Sequence, residues 1–528
     1  ITADTIGQLQ QCLADDPLVG FAVPRVACRN GCCIAAIPRL GVGATTWLPR
    51  SALASQPVLD LLPEMAAPCL LFAPVITGNF AEADEAIQGW PARLLRCMAT
   101  ARRCGFRVVL SHRSVVHLAT GGCTTGSVTL SPEVPASDRQ QLALEHPDID
   151  RAWNEFRGDA VERFERMLAT MPRDASTRPS LLLDLRNLGP VFNGTTYALL
   201  GLARGLQALA PAWDISLVAH APSIAFHDLK TAFAGWPVHR ELPARGHTVA
   251  LRPSQPWTLS EAVDLHRAAL LNAFLMLDTI AWDVVYAAPP DLEGTWQFIA
   301  EHADVLLFDS DFTRRRFIYR FPPSQDTVTG VALLSCDPRE NTRPGISSQR
   351  TGDYLLVIGN DLDHKDVRHT VDTLATAFPF VPIKALGLPS SVSPMVTALR
   401  SGNLPEEEIH RLYAEARAVI FPSFYEGFGF PIVTALAYKR TVLARRSTLL
   451  DELAGECAPG GRLFDYTTRE ELVRTLGRLL YDESPQDRPV GHTLGTRPPR
   501  TWRDVAATTI GYLEQALAAP RPARWRRR

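Results

Sequence analysis

From residue 181 onward the chain alternates short unbroken apolar runs with longer segments of helical period. Residues 181–185 (LLLDL), 215–219, 274–277 and 305–308 read as buried strands, and 197–209 reads as a helix between the first two. After the polar stretch 337–352 (DPRENTRPGISSQRTG) the same grammar restarts. Residues 354–358 read as a strand, 369–377 as a helix, 383–386 and 418–421 as strands, and 502–517 as a closing helix. Strands that are apolar throughout and alternate with helices form parallel sheets covered on both faces. The pattern predicts two consecutive α/β domains. Such sheets bind ligands outside the carboxyl ends of their strands, so two facing domains trap one in the cleft between them.

Length supports more than one core, because single cores stop growing at about 250 to 300 residues and this chain has 528. The segment 171–180 (MPRDASTRPS) is a linker by composition. The expected boundaries are 1–170, the linker 171–180, 181–345, 346–518 and a basic tail 519–528. A net charge of −2 gives the chain no electrostatic reason to bind nucleic acid. No apolar segment reaches the roughly 18 residues of a membrane span, and the nearest, 268–281, is interrupted by Asp278. A soluble, cytoplasmic protein is expected, and the start at Ile1 suggests a processed product or a piece of a longer chain. Eight of the ten cysteines fall in the first 123 residues, including Cys28, Cys32 and Cys33, without a second closely spaced pair of zinc-finger type. Reduced buried thiols are the expectation.

The stretch FPSFYEGFGFPIVTALA, 421–437, leads from an apolar strand through a loop with Glu426, Gly427 and Gly429 to a helix opened by Pro431. Glycines let a ligand approach the backbone, and a proline at the first helical position leaves neighbouring amides free for an anion. Glu426 is suited to sugar hydroxyls or developing positive charge; a solvated glutamate in a plain turn is the alternative. Ile432 replaces the third glycine of a dinucleotide fingerprint, so NAD is unsupported. In VIGNDLDHKD, 357–366, Lys365 falls in a strand-to-helix loop where a cation can face a diphosphate; a plain surface charge is the alternative. Two Asp-x-Asp pairs, Asp309 with Asp311 and Asp361 with Asp363, allow a magnesium reading. In the first α/β domain, NLGPVFNGTTYALLGLARGL, 187–206, puts Gly194 at a loop tip with Thr195 and Thr196 at a helix start; these either meet phosphates or cap the helix. Asp278 follows an apolar strand and is either a base for an acceptor hydroxyl or a helix cap.

Together, PSFYEGFGFP, SGNLPEEEIHRLYAEARAVIF, the HKD loop and the NGTT loop resemble the retaining glycosyltransferases of family 4, with two-Rossmann GT-B architecture, over about residues 178–518. The resemblance implies transfer of a sugar from a nucleotide diphosphate sugar, usually without a metal or other cofactor, to a glycan or lipid-linked acceptor. Carried over, Glu426 contacts donor-sugar hydroxyls, Lys365 faces the diphosphate, Gly194 lines the phosphate loop, and amides of Phe428, Gly429 and Phe430 meet sugar or phosphate. Asn403 and Leu404 lie near the base. Three positions depart from the pattern. Leu277 stands where many members have histidine, Asn360 where many have arginine, and Thr434 where a glutamate usually grips the ribose, which loses a charge-assisted hydrogen bond. A nucleotide-sugar-binding protein without turnover is therefore the rival expectation, and a metal-dependent transferase the third.

Residues 16–26 (DPLVGFAVPRV) and 103–122 (RCGFRVVLSHRSVVHLATGG) resemble the later half of an inverting family 2 glycosyltransferase with a GT-A fold, His117 matching a metal-facing histidine. The nucleotide-binding half and its Asp-x-Asp are missing, and Gly89, Trp90, Pro91 and Ala92 replace an expected acidic pair, so this segment is expected not to catalyse. The tail RPARWRRR, with five arginines, reads as a disordered solvated end or as a segment that touches an anionic membrane near a lipid-linked acceptor. The expectation is an α/β GT-B glycosyltransferase of bacterial surface polysaccharide assembly.

Overall fold

The computed structural model describes residues 3–28, 36–38, 59–62, 69–80, 87, 89–117, 134–156, 178–243, 246–284, 288–325, 327–346, 352–402, 404–457, 460–481, 491–495 and 498–518. The described residues form three sheets. The first comprises β1 (Val19–Cys28), β2 (Ala36–Pro38), β3 (Leu59–Leu62), β4 (Leu71–Phe72) and β5 (Arg107–His117). In it β1 pairs in parallel with β2 and β5, while β3 and β4 run antiparallel at its sides. The helix Ala3–Asp15 buries Leu9 and Cys12 against one face, and Met98 and Ala101 of the helix Trp90–Arg103 cover the other.

The second sheet comprises β6 (Ser180–Asp184), β7 (Asp214–Val218), β8 (Val238–His239), β9 (His247–Arg252), β10 (Ala269–Met276), β11 (Val305–Phe308) and β12 (Val328–Val331). The third comprises β13 (Leu355–Ile358), β14 (Ile383–Leu386), β15 (Val396–Leu399), β16 (Ala418–Phe421), β17 (Thr441–Arg445) and β18 (Arg462–Tyr466). Their orders are β12-β11-β10-β9-β6-β7-β8 and β15-β14-β13-β16-β17-β18, and every pairing is parallel. Both are doubly wound Rossmann-like sheets, the two-domain layout expected of GT-B. The chain reverses direction across each sheet between its first and fourth strands, which puts one switch point between β6 and β9 and the other between β13 and β16.

Two of the strands missed from the apolar pattern end in arginines that the fold pairs. β9, HTVALR, ends in Arg252, which donates to Asp184 at the end of β6 at 3.1 Å, both side chains fully buried. β17 ends likewise in Arg445. The helix expected over 197–209 begins at Gly194, because the Asn193 side chain accepts the Thr196 amide at 2.9 Å and adds a turn.

The two Rossmann units share one core in which Leu183 and Leu277 of the first join Phe428 and Ile432 of the second. The closing helix, Trp502–Ala518, follows the second unit in sequence yet packs on the Gly194–Leu209 helix of the first. Gly201 and Gly205 make that possible, since a Cβ at either would come within 2.1 Å of Trp502. Among the described residues no helix is long and apolar enough to cross a membrane.

Candidate functional site

Lys365 and Glu426 meet at the switch point of the third sheet. The loop after β13 is shaped by Asn360, whose Oδ1 accepts the Leu362 amide at 3.1 Å, and by the short turn Asp363–Lys365. The loop after β16 is tied to it through the Phe424 amide, which donates to the His364 carbonyl at 2.8 Å. Within this frame Lys365 Nζ donates to Glu426 Oε1 at 2.5 Å, the side chains being only 13% and 17% exposed. A third anchor lies behind the loops. Asp366 accepts from Arg445 and Arg469, while Arg445 also donates to the Pro422 carbonyl at 2.6 Å and lies 3.8 Å above the Phe424 ring. The loops are thus held by ion pairs at their roots, which orients Lys365 and Glu426 before any ligand arrives.

The facing wall comes from the second sheet. Asp278 follows β10, and its Oδ1 accepts the Ile280 amide at 2.9 Å, so it caps a turn while remaining in the cleft. Burial raises the Asp278 pKa and the Glu426 charge adds to the rise, against hydrogen bonding from the Ile280 amide and Gln255 and the attraction of Lys365. Asp309, at the end of β11, is buried and held well above the usual carboxylate range, chiefly by burial and then by the nearby Asp278 and Glu452 charges, against hydrogen bonds from Thr313 and Ser310. Asp278 thus lies within electrostatic reach of both Lys365 and Glu426, and its raised pKa marks it as a group whose charge the cleft sets.

The glycine loop sits hard against that wall. A Cβ at Gly427 would lie 1.6 Å from the Leu277 carbonyl oxygen and 2.9 Å from Asp278 Cβ, so this glycine admits the neighbouring domain. Its carbonyl accepts from Ser310 Oγ at 2.7 Å and Thr313 Oγ1 at 3.4 Å. Glu452 crosses in the other direction, accepting the Asp311 and Phe312 amides at 2.7 and 3.2 Å and neutralising the amino end of the Asp311–Arg320 helix. Gly429 has φ 87°, a left-handed conformation that glycine adopts freely, and forms the amino end of the Phe430–Ala437 helix. Phe428 is buried and Phe430 half-buried, with Phe430 lying between Tyr197 and Trp502 at ring separations of 6.0 and 6.4 Å. Gly194 faces Phe430, to which a Cβ would come no closer than 3.7 Å. Thr195 is half-buried beside it.

Other expectations fall differently. The Thr196 hydroxyl donates to the Val191 carbonyl at 2.7 Å and lies 3.1 Å from Asn193 Oδ1, so it serves the cap and is not presented to a phosphate. The Asp309–Asp311 pair is split by the strand end: Asp309 points inward, while Asp311 pairs with Arg314 and Arg315. Asp361 and Asp363 are exposed, and among the described residues no three His, Cys, Asp or Glu side chains converge as a metal site. Thr434 is half-buried in the Phe430–Ala437 helix, one turn from Phe430. Leu404 packs against the shared core, whereas Asn403, the tail 519–528, Cys32, Cys33 and the His117 side chain lie outside the described residues. Sequence reasoning missed Gln255, Glu452, Arg445 and Ser310. Only Ser310 had a local signal, a Ser-x-x-Thr helix start after an apolar strand.

Residues 399–491, which include Glu426, the glycine loop and Thr434, match the family model described as glycosyl transferases group 1. The chain is similar to an MMP alpha-(1->4)-mannosyltransferase of Mycolicibacterium hassiacum, 36% identical over 121 residues, which is 22% of this chain and 29% of that protein. It is also similar to the O-antigen chain mannosyltransferase B of Escherichia coli, 30% identical over 109 residues, 21% of this chain and 28% of that one. The match therefore spans less than a third of either relative. Among solved structures, a sucrose-phosphate synthase from Thermosynechococcus elongatus aligns with 65% of this chain and 100% of its own at TM-score 0.45 and 14% identity.

Proposed function

We propose that this chain is a retaining, family 4-like glycosyltransferase that moves a sugar from a nucleotide diphosphate sugar to a glycan or lipid-linked acceptor in bacterial surface polysaccharide assembly. The observation that carries the reading is the buried-edge pair of Lys365 and Glu426 at a Rossmann switch point, with Asp278 across the cleft and Glu426 inside the segment matched to the glycosyl transferases. Lys365 supplies positive charge to the diphosphate. The amides of Phe428, Gly429 and Phe430, at a helix amino end, supply partial charge beside it. Together they stabilise the departing nucleoside diphosphate, which is where negative charge grows as the anomeric carbon–oxygen bond breaks, so no metal is required. Glu426, once Lys365 turns to phosphate, accepts hydroxyls of the donor sugar. Asp278 takes the proton of the acceptor hydroxyl as the new glycosidic bond forms. Gly194 and Thr195 close the phosphate side, and Asn360, Leu404 and Thr434 border the nucleotide. The names of the two relatives make mannose donors the first to try.

The test is nucleoside diphosphate release by the purified chain from a panel of nucleotide diphosphate hexoses, with EDTA present, followed by NMR of the product anomer. Glu426→Gln should lower the rate by about 100-fold, the scale of removing one preorganised transition-state contact. Release that is unaffected by Glu426→Gln overturns the assignment of that residue. Loss of activity in EDTA restored by magnesium favours the metal-dependent alternative. Saturable nucleotide binding with no turnover on any donor makes the chain a binding protein.

A further inference from the structure

At the opposite end of the third sheet from Lys365 and Glu426, the amino ends of β16, β17 and β18 border a cavity of about 430 Å³. Four cations line it, Arg417, Lys439, Arg440 and Arg462, and among the described residues no carboxylate does. Arg417 donates to the Leu480 carbonyl at 2.8 Å and Arg462 to Thr441 Oγ1 at 3.1 Å. Arg440, only 6% exposed, donates to the carbonyls of Tyr438 at 2.9 Å and Ala416 at 3.3 Å. Among the described residues neither Arg417, Lys439 nor Arg462 has an ion-pair partner.

Two helices end here, Phe430–Ala437 and Arg469–Tyr481, and their carboxyl ends attract cations. Each such end amounts to roughly half a negative charge, so together they offset about one of the four positive charges. Among the described lining residues the balance around the recess is therefore positive. Lys439 is held there at a conformational cost. It sits at φ 60° just past the Phe430–Ala437 helix, in the capping position that glycine usually takes, with its amide donating to Leu436 at 2.8 Å and the Arg440 amide to Ala435 at 2.9 Å. Its stem lies along Gly460, where a Cβ would stand 3.4 Å from Lys439 Cγ.

We propose that this cavity binds a soluble phosphorylated small molecule carrying at least two negative charges, through Lys439, Arg462, Arg417 and the buried Arg440. The volume is in the range of small-molecule sites and suits a sugar phosphate or nucleotide. The site is separate from the proposed donor cleft, although the Phe430–Ala437 helix runs from the glycine loop to Lys439 and joins the two mechanically.

Inorganic pyrophosphate is the probe, titrated by calorimetry at low salt into the full chain bearing Lys365→Ala, which disables the diphosphate side of the donor cleft. Saturable binding with a dissociation constant below about 1 mM is expected. Adding Lys439→Gly and Arg462→Gln should weaken it at least 10-fold. Lys439→Gly suits the left-handed backbone there, and circular dichroism of the combined variant checks its fold. No saturable binding to the Lys365→Ala protein, or binding unchanged by the two added substitutions, overturns the proposal. So does sedimentation with anionic phospholipid vesicles that depends on Lys439 and Arg462 and resists competing pyrophosphate, since the cavity would then serve a membrane headgroup. None of these readouts depends on glycosyl transfer.

Discussion

Gly427→Ala should separate the two Rossmann units beside the proposed donor cleft. The new Cβ would fall 1.6 Å from the Leu277 carbonyl oxygen and 2.7 Å from its carbon, against the roughly 3.5 Å that non-bonded atoms prefer. Both obstacles are backbone, so no rotamer change relieves them, and the wall must retreat by about 1.5 Å. That movement breaks the Ser310 and Thr313 hydrogen bonds to the Gly427 carbonyl and strains the grip of Glu452 on the Asp311 and Phe312 amides. At about 1 kcal/mol per hydrogen bond and 1 to 3 kcal/mol for overpacking, the cost is about 3 to 5 kcal/mol. Thermal unfolding should report a fall of about 10 °C, given a few degrees per kcal/mol for domains of this size. If the proposed sugar transfer holds, its rate should fall by about 100-fold or more, because a 1 Å misplacement of reacting groups suffices for that. Gly511→Ala is the control. It lies in the closing helix with nothing within 4 Å of its Cβ position and should gain up to about 1 kcal/mol. A Gly427→Ala protein with unchanged melting temperature and turnover would refute the claim that this loop is seated on the end of β10.

Three further outcomes are expected. Under the proposed function, Thr434→Glu should tighten nucleotide-sugar binding about 10-fold by adding a charge-assisted hydrogen bond to ribose, measured by calorimetry; unchanged affinity means that Thr434 does not face the nucleotide. Burial, with Arg343 adding to it, lowers the His410 pKa from 6.5 to about 4. The unfolded chain then binds the extra proton as pH falls through 6.5, so stability is complete above that value and declines toward pH 4, by about 3 kcal/mol at most. His410→Gln should flatten denaturant midpoints over that window, and a wild-type slope in the variant rejects His410 as the cause. Trp502→Ala should cost about 3 to 5 kcal/mol by emptying the space that Gly201 and Gly205 keep for the ring, and a melting temperature within 2 °C of wild type contradicts that packing.

Much of the candidate site was legible before any coordinates. Glu426 and Lys365 each follow an apolar run and precede a helical one, and in a parallel sheet that position puts a residue at the carboxyl edge where ligands bind. Strand order then made neighbours of two loops 61 residues apart in sequence. Gly427 shows where local reading stops. From the loop alone its missing side chain invites a ligand, but the nearest atom belongs to the other domain, and no local rule contains that domain's position. Thr196 is a similar case, since its hydroxyl had two uses and the cap, being local, takes it. The cation cavity had no signature either, because Arg417, Lys439 and Arg462 converge only when β16, β17 and β18 lie side by side.

What the amino-acid order determined by itself was therefore periodic and local: two α/β units, most of the central strands, the caps, and the chemistry of the loops that follow the strands. Those features depend on neighbours within a few residues, through apolar runs, turn residues and capping side chains. Tertiary structure alone decided which loops face each other, that Ser310 and Glu452 lock the units together, that the last helix returns to the first unit, and that Asp278 stands across from Glu426. Those depend on contacts between residues far apart in the sequence, whose geometry is set by the packing of whole sheets and helices and is not encoded in any single stretch.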